Sequence, residues 1–169
     1  MPVNSLIVTA VATSTAEKKE RLGEHRLIST RGRYALRIMI DLAERGGEGY
    51  TPMKEVAQHL GISLKYIEQI IPVLSRNGLV AGVHGKGGGY RLCRAPQEYR
   101  VGEILRLTEG DLAPVACLEC GSAPCPHAAE CRTVGMWNRF QQLIDEFFDD
   151  ITIADLMRED ENHLLKDPD

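Results

Sequence analysis

The sequence has no apolar run long enough to cross a bilayer. The nearest approach, Ser5–Ala12, is well short of the roughly 18 residues that a membrane helix needs, and no basic flank precedes it as in a secretion signal. Residues 1–26 show no clear helical or strand periodicity, which predicts a flexible extension. We therefore expect a cytoplasmic protein.

The sequence also lacks the motifs on which common enzyme classes depend. It contains no HExxH zinc motif, no phosphate-binding loop, no Ser-His-Asp pattern and no CxxC pair that opens a thioredoxin-like helix. These absences indicate that the protein is not an enzyme. A cysteine-based redox or electron-transfer protein remains an alternative class, because four of the five cysteines fall between Cys117 and Cys131.

Residues 51–93 have the order of elements found in a winged helix-turn-helix. A first helix is predicted to open at Thr51-Pro52, where threonine caps free amides and proline loses no hydrogen bond, and to end at Gly61. Ser63 then caps a second helix, which Asn77-Gly78 closes. Apolar residues recur at helical spacing on one face of this second helix, namely Ile67, Ile70, Ile71 and Leu74. This order predicts that the second helix enters the major groove of DNA.

Two short β-prone runs follow the second helix. They are Leu79–Val83 and Tyr90–Cys93, and the glycine-rich turn His84–Gly89 joins them. The glycines allow a sharp reversal and a close approach to a sugar-phosphate backbone, which is typical of a wing. A nucleotide-binding glycine loop is disfavoured, because no strand-to-helix transition follows the glycines.

Candidate DNA contacts lie on the outward face of the second helix, on the wing and near the start of an earlier helix. They are Arg33, Ser63, Lys65, Tyr66, Glu68, Gln69, His84, Lys86 and Arg91. The whole chain has a formal charge of -4, but residues 26–100 hold 12 Lys and Arg against 6 Asp and Glu, whereas residues 101–169 hold 5 against 15. This separation predicts a cationic half that faces DNA and an acidic half turned away from it.

Apolar periodicity predicts three further helices, from Thr30 to Gly46-Gly47, from Val101 to Leu107 before Gly110, and from about Cys131 to Asp149. Capping-box spacing at Thr152 and Asp155 predicts one last short helix. The expected fold class is therefore mainly α with a small β-wing, a winged helix-turn-helix followed by a long C-terminal helix.

The long helix carries a broad apolar stripe, formed by Met136, Trp137, Phe140, Leu143, Ile144, Phe147 and Phe148. Such a stripe needs a partner, which is either the chain's own core or a second copy. A two-fold homodimer is favoured, because it places two recognition helices on successive major grooves. We predict a DNA-binding domain over residues 27–100, a cysteine-loop and dimerisation region over 101–157 and a polar tail over 158–169.

Four cysteines lie within 15 residues, namely Cys117, Cys120, Cys125 and Cys131. In a reducing compartment such density favours metal or redox chemistry over a stable disulfide. Soft thiolates suit zinc or an iron-sulfur cluster, although the spacing fits neither a paired zinc finger nor a ferredoxin run. His127 is a further candidate ligand for which a surface position is the expectation, and Cys93 is expected to be a small buried hydrophobe.

From about Leu27 to Met157 the sequence resembles the bacterial winged helix-turn-helix transcriptional regulators of the IscR, NsrR and CymR type. The blocks that carry the resemblance are Ser29–Ala35, Ile62–Gln69, Asn77–Val80 and Gly85–Leu92. The resemblance implies a homodimeric DNA-binding transcription factor whose long helix crosses its partner, and we expect it to act as a repressor. It also implies that Glu68 and Gln69 read bases and that Lys86 belongs to the wing.

The same resemblance implies an iron-sulfur cluster, either 2Fe-2S or 4Fe-4S. Cluster-binding members have three cysteines separated by five residues, and a fourth ligand from a histidine or from the partner's amino-terminal part. Here Cys125 and Cys131 keep that gap, Cys120 and Cys125 are separated by four residues, and Val134 stands where the assembly regulator has its histidine. Cys117 is an additional candidate, so the fourth ligand is unassigned. Members without a cluster, some of which act through a partner enzyme of cysteine synthesis, leave a cluster-free or thiol-oxidation mechanism open.

Overall fold

The computed structural model of the protein describes residues 27–46, 49–119, 121 and 125–158. Predictions for residues 1–26, for Gly47, for Cys120 and for the tail from residue 159 lie outside these described residues. In the described ranges the helices are α1 (Thr30–Glu44), α2 (Met53–Leu60), α3 (Leu64–Arg76), α4 (Val101–Glu109), α5 (Val134–Asp150) and α6 (Ile153–Leu156), and the strands are β1 (Val80–Val83) and β2 (Gly89–Leu92). Short 3-10 turns occupy Pro96–Glu98, Ala116–Leu118 and Ala128–Glu130.

Local capping explains most of the helix ends. The Ser63 hydroxyl accepts a hydrogen bond from the Tyr66 backbone N–H at 3.2 Å and so caps α3, as predicted. Gly61 ends α2 in the left-handed region at φ 65°, which glycine adopts without steric cost. At the start of α6, Thr152 and Asp155 form the predicted capping box, since each side chain bonds to the other's backbone N–H.

Two helix starts differ from the predictions. Thr51 does not cap α2, because its backbone N–H and C=O both pair with Tyr90 at 2.9 Å, and Pro52 takes the cap position without a side-chain bond. The long helix α5 begins at Val134 rather than near Cys131, because a 3-10 turn at Ala128–Glu130 precedes it. In both places the backbone that was predicted to start the helix is hydrogen-bonded to a neighbouring element instead, to Tyr90 of the wing at Thr51 and to Ala128 of the 3-10 turn at Cys131.

The wing is an antiparallel hairpin in which Val80 pairs with Leu92 and Val83 pairs with Gly89. A third stretch of backbone lies close to it at Thr51. A Cβ added at Gly89 would collide with the backbone carbonyl of Thr51, so only glycine permits this approach. The wing is therefore held against the segment that opens α2.

One apolar core joins the helix-turn-helix to α1, α4 and α6. Its buried members are Ala35, Ile38, Met39, Leu42, Ala43, Val56, Ala57, Ile67, Ile70, Ile71, Leu74, Leu79, Val80, Tyr99, Ile104 and Ile153. A smaller cluster of Val101, Leu105, Leu112 and Ile144 packs α5 against α4. Arg106 of α4 reinforces this contact by donating to Asp145 at 2.6 Å and to Asp149 at 2.7 Å, and these bonds, the one to Asp149 foremost, raise the pKa of the guanidinium.

Candidate nucleic-acid interface

The recognition helix α3 separates its apolar and polar residues as predicted. Ile67, Ile70 and Leu74 are fully buried, which fixes the rotation of the helix about its axis. Lys65, Glu68 and Gln69 are exposed on the opposite side. Tyr66 is half-buried and meets the Tyr34 ring edge-on, with centroids 5.5 Å apart. The helix thus presents a charged and amide-bearing face on a rigid support.

The start of α1 lies beside this face. The Arg31 guanidinium donates to the backbone carbonyl of Gln69 at 3.5 Å. Arg33 is exposed and donates to the Thr30 hydroxyl at 3.1 Å. Periodicity indicated arginines near this helix end, but the contact between Arg31 and α3 depends on packing between elements that are 38 positions apart.

The three candidate DNA contacts of the wing lie in two different regions, the turn and the base of the hairpin. His84 and Lys86 are exposed in the turn, where Gly85 and Gly87 have positive φ values of 102° and 79°. The Arg91 guanidinium instead lies over the Tyr50 ring, 5.0 Å from its centroid, at the base of the hairpin. There it lines a cavity of about 350 Å³ together with Arg45 and Arg94.

The described cysteines lie at or near the surface. Cys117 is exposed, and Cys125 and Cys131 are partly exposed. The Thr133 hydroxyl, 3.4 Å from the Cys131 sulfur, lowers the pKa of that thiol, and the backbone N–H groups of Thr133 and Val134 act in the same direction. A lowered pKa favours the thiolate, which is the form that binds metals and reacts with oxidants. His127 is exposed, as expected.

Cys93 is exposed, so the prediction that it is a small buried hydrophobe is wrong. Its backbone N–H is anchored inside, donating to the Leu79 carbonyl at 3.1 Å and to the Tyr99 hydroxyl at 2.8 Å. The backbone at the end of β2 is therefore held while the side chain faces outward.

The thiols match an iron-sulfur cluster in chemistry but not in their arrangement within the described part of the chain. No group of three or more His, Cys, Asp or Glu side chains meets there closely enough to hold a metal ion. Cys120, between Cys117 and Cys125, is not among the described residues. The described ligands therefore do not by themselves form a cluster site.

The predicted stripe of α5 is divided between two faces. Ile144 is buried against α4, with Phe148 packed beside it. Trp137 is half-buried. Four other large apolar side chains remain exposed, by 56% at Met136, 45% at Phe140, 46% at Leu143 and 56% at Phe147. Their spacing of four, three and four residues places them along one side of the helix. The chain's own core thus accounts for only part of the stripe.

Comparison with known proteins identifies the family. The Rrf2 family, described as iron-dependent transcriptional regulators, matches residues 28–159 of the chain. The chain belongs to the Rrf2 family. Its relatives include the HTH-type transcriptional regulator CymR of Bacillus subtilis, 40% identical over 129 residues that cover 76% of this chain and 88% of the relative. IscR of Aliivibrio salmonicida is 34% identical over 140 residues, which cover 83% of this chain and 82% of the relative.

Solved Rrf2 structures share the fold. The structure of CymR, the global cysteine regulator of B. subtilis, has a TM-score of 0.62 and 38% identity, and the match covers 77% of this chain and 95% of CymR. T. potens IscR has a TM-score of 0.61 and 32% identity, with 88% of this chain and 96% of that chain covered. These similarities confirm the winged-helix fold class and the prediction of a DNA-binding transcriptional regulator. Among the described residues, no helix is both long and apolar enough to span a membrane.

Proposed function

We propose that this Rrf2-family regulator binds an operator as a homodimer, with α3 in the major groove and with α1 and the wing on the phosphate backbone. The observation that carries the proposal is the polar face of α3. That face is exposed, while the opposite face is locked into the core by fully buried isoleucines and a leucine. A helix held in this way presents its side chains to base edges in a fixed orientation.

Each exposed side chain of α3 suits a particular base edge. Gln69 can make two hydrogen bonds to adenine, Glu68 can accept from the cytosine amino group, and Lys65 can donate to guanine. Leu64 is 39% exposed in the first turn and is suited to apolar contact with a thymine methyl group. The groups suited to phosphate contact, which give affinity without sequence choice, are Arg33, Ser63, Tyr66, His84, Lys86 and Arg91.

The exposed side of α5 supplies the dimer interface in this proposal. Four large apolar side chains in a row are more than single scattered surface residues, and a second copy of the same helix buries them symmetrically. A two-fold dimer then presents two α3 helices at a separation of about 34 Å, one turn of DNA, or a multiple of it. The expected operator is therefore a near-palindrome.

Replacing both Glu68 and Gln69 by alanine is expected to reduce sequence preference strongly. Base contacts discriminate by about 1 to 3 kcal/mol each, so the loss of two should lower affinity for the preferred site by at least about 30-fold, while binding to unrelated DNA is retained. The preferred site is first obtained by selection from random duplexes with the unaltered protein. Fluorescence anisotropy at one fixed salt concentration then compares preferred and unrelated duplexes.

A matched control is the pair Glu44→Ala and Gln97→Ala. Both residues are exposed, and Glu44 lies at the opposite end of α1 from the contact between Arg31 and α3. This control should keep full discrimination. Unchanged discrimination in the Glu68 and Gln69 variant would mean that α3 is not the reading helix.

We further propose that the cysteine segment is the effector region and that it binds iron as a sulfur-ligated cluster. Cys117, Cys125 and Cys131 offer soft thiolates at or near the surface, and the sequence adds Cys120 as a further candidate ligand. When bound, a cluster would supply a redox-sensitive and iron-sensitive group beside the start of α5. The similarity to CymR favours a second candidate, a cluster-free regulator controlled by thiol oxidation or by a partner enzyme of cysteine synthesis.

Protein purified without oxygen is expected to contain iron and acid-labile sulfide in stoichiometric amounts. Cys125→Ser and Cys131→Ser should lose both, whereas Cys93→Ser, which removes an exposed thiol outside the segment, should retain both. Visible absorption with iron and sulfide assays measures the outcome. Iron-free protein that still selects an operator would favour the cluster-free candidate instead.

A further inference from the structure

The first turn of α1 has an unfavourable distribution of charge for a helix. It contains no acidic residue, and it carries Arg31 and Arg33. A helix N-terminus is electrostatically positive and exposes free N–H groups, so basic side chains there are destabilising and carboxylates are stabilising. If these arginines serve phosphate binding, the negative charge that the turn needs has to come from elsewhere in the fold.

Glu109, the last residue of α4, supplies that charge. One of its carboxylate oxygens accepts hydrogen bonds from the Ser29 backbone N–H at 3.1 Å, the Ser29 hydroxyl at 3.0 Å and the Gly32 backbone N–H at 3.0 Å. A Cβ at position 32 would collide with this carboxylate and would lie 3.1 Å from the Leu105 side chain. The absent side chain of Gly32 is what lets Glu109 reach the helix end.

We propose that Glu109 is a positioning residue for DNA binding, which holds the arginine-bearing first turn of α1 against the recognition helix. This inference rests on the proposed function, in which that turn faces phosphate. The turn contacts α3 through Arg31, whose guanidinium donates to the Gln69 carbonyl. Fixing the turn therefore orients both the phosphate-binding arginines and the neighbouring part of α3.

The test compares Glu109→Ala with Glu103→Ala in the full-length protein. Glu103 is on the same helix and pairs with Arg94 at 2.7 Å, so its removal deletes an equal charge without touching α1. We expect Glu109→Ala to weaken operator binding about tenfold and Glu103→Ala to leave it unchanged. Glu109→Gln keeps an acceptor oxygen without the charge and should give an intermediate loss of operator binding. This variant also tests the proposal if the alanine variant folds poorly.

Amide hydrogen exchange separates positioning from a general loss of stability. Exchange should accelerate in residues 30–33 of the Glu109 variants and remain slow in α2, whereas general destabilisation would accelerate both.

The outcomes distinguish this inference from the proposed function. Glu109 variants that bind the operator as tightly as the unaltered protein would overturn the positioning role and leave the proposed function intact. An equal loss in the Glu103 and Glu109 variants would also overturn it, because the loss would then not depend on the contact between Glu109 and α1. An unaltered protein that selects no DNA sequence would instead overturn the proposed function on which the inference rests.

Discussion

Replacing Phe140 and Leu143 by aspartate is expected to leave the protein monomeric and to weaken operator binding by about a hundredfold or more. Both side chains are nearly half exposed at the centre of the apolar side of α5. Aspartates there would have to be desolvated without partners in a two-fold interface, which is costly. A monomer loses the effective concentration that a second α3 provides. Sedimentation velocity measures the association, and fluorescence anisotropy measures the binding.

A matched control places the same charge on the other side of α5. Asn138→Asp combined with Gln142→Glu adds two carboxylates at exposed positions that helical geometry directs away from Phe140 and Leu143. This control should remain dimeric and bind the operator normally. A dimer that survives the two aspartates at 140 and 143 would show that another surface forms the interface.

The sequence was sufficient to predict helix ends whose hydrogen bonds are made between residues close together in the chain. Ser63 caps α3, Gly61 ends α2, and Thr152 with Asp155 starts α6, each through bonds that span only a few residues. The spacing of the apolar residues in α3 also predicted which side of this helix is buried. The exposed side of the candidate interface could therefore be identified from the sequence. Capping residues and the spacing of apolar residues along a helix can be recognised without knowledge of the tertiary structure.

Features that depend on contacts between distant residues could not be predicted in this way. Thr51 pairs with Tyr90 rather than capping α2, and the Tyr99 hydroxyl holds the backbone N–H of Cys93 while the Cys93 side chain is exposed. Glu109 reaches Ser29 across 80 positions, and nothing near either residue indicates the contact. The division of the α5 stripe is of the same kind, because it depends on which residues α4 covers.

Tyr99→Phe is expected to lower the free energy of unfolding by about 2 to 3 kcal/mol, because it removes one hydroxyl that organises the base of the wing. The ring is fully buried, and its hydroxyl donates to the Leu79 carbonyl at 2.8 Å. The same oxygen accepts from the backbone N–H groups of Cys93 at 2.8 Å and Arg94 at 2.7 Å. Phenylalanine fills the same space but leaves these groups without that partner. Urea unfolding followed by circular dichroism measures the loss.

The dependence on pH provides a second readout of the same hydroxyl. Burial raises the pKa of Tyr99, although hydrogen bonds from the Arg94 and Cys93 backbones partly oppose this. Since the folded-state pKa lies above the unfolded value, the contribution of Tyr99 is complete below about pH 10 and falls as the pH rises further. Tyr99→Phe should lack this alkaline loss. As a control, Tyr90→Phe removes the hydroxyl of a half-buried tyrosine on the wing and should match the unaltered protein in both measurements. Equal losses of stability in the Tyr90 and Tyr99 variants would contradict the proposed role of the Tyr99 hydroxyl.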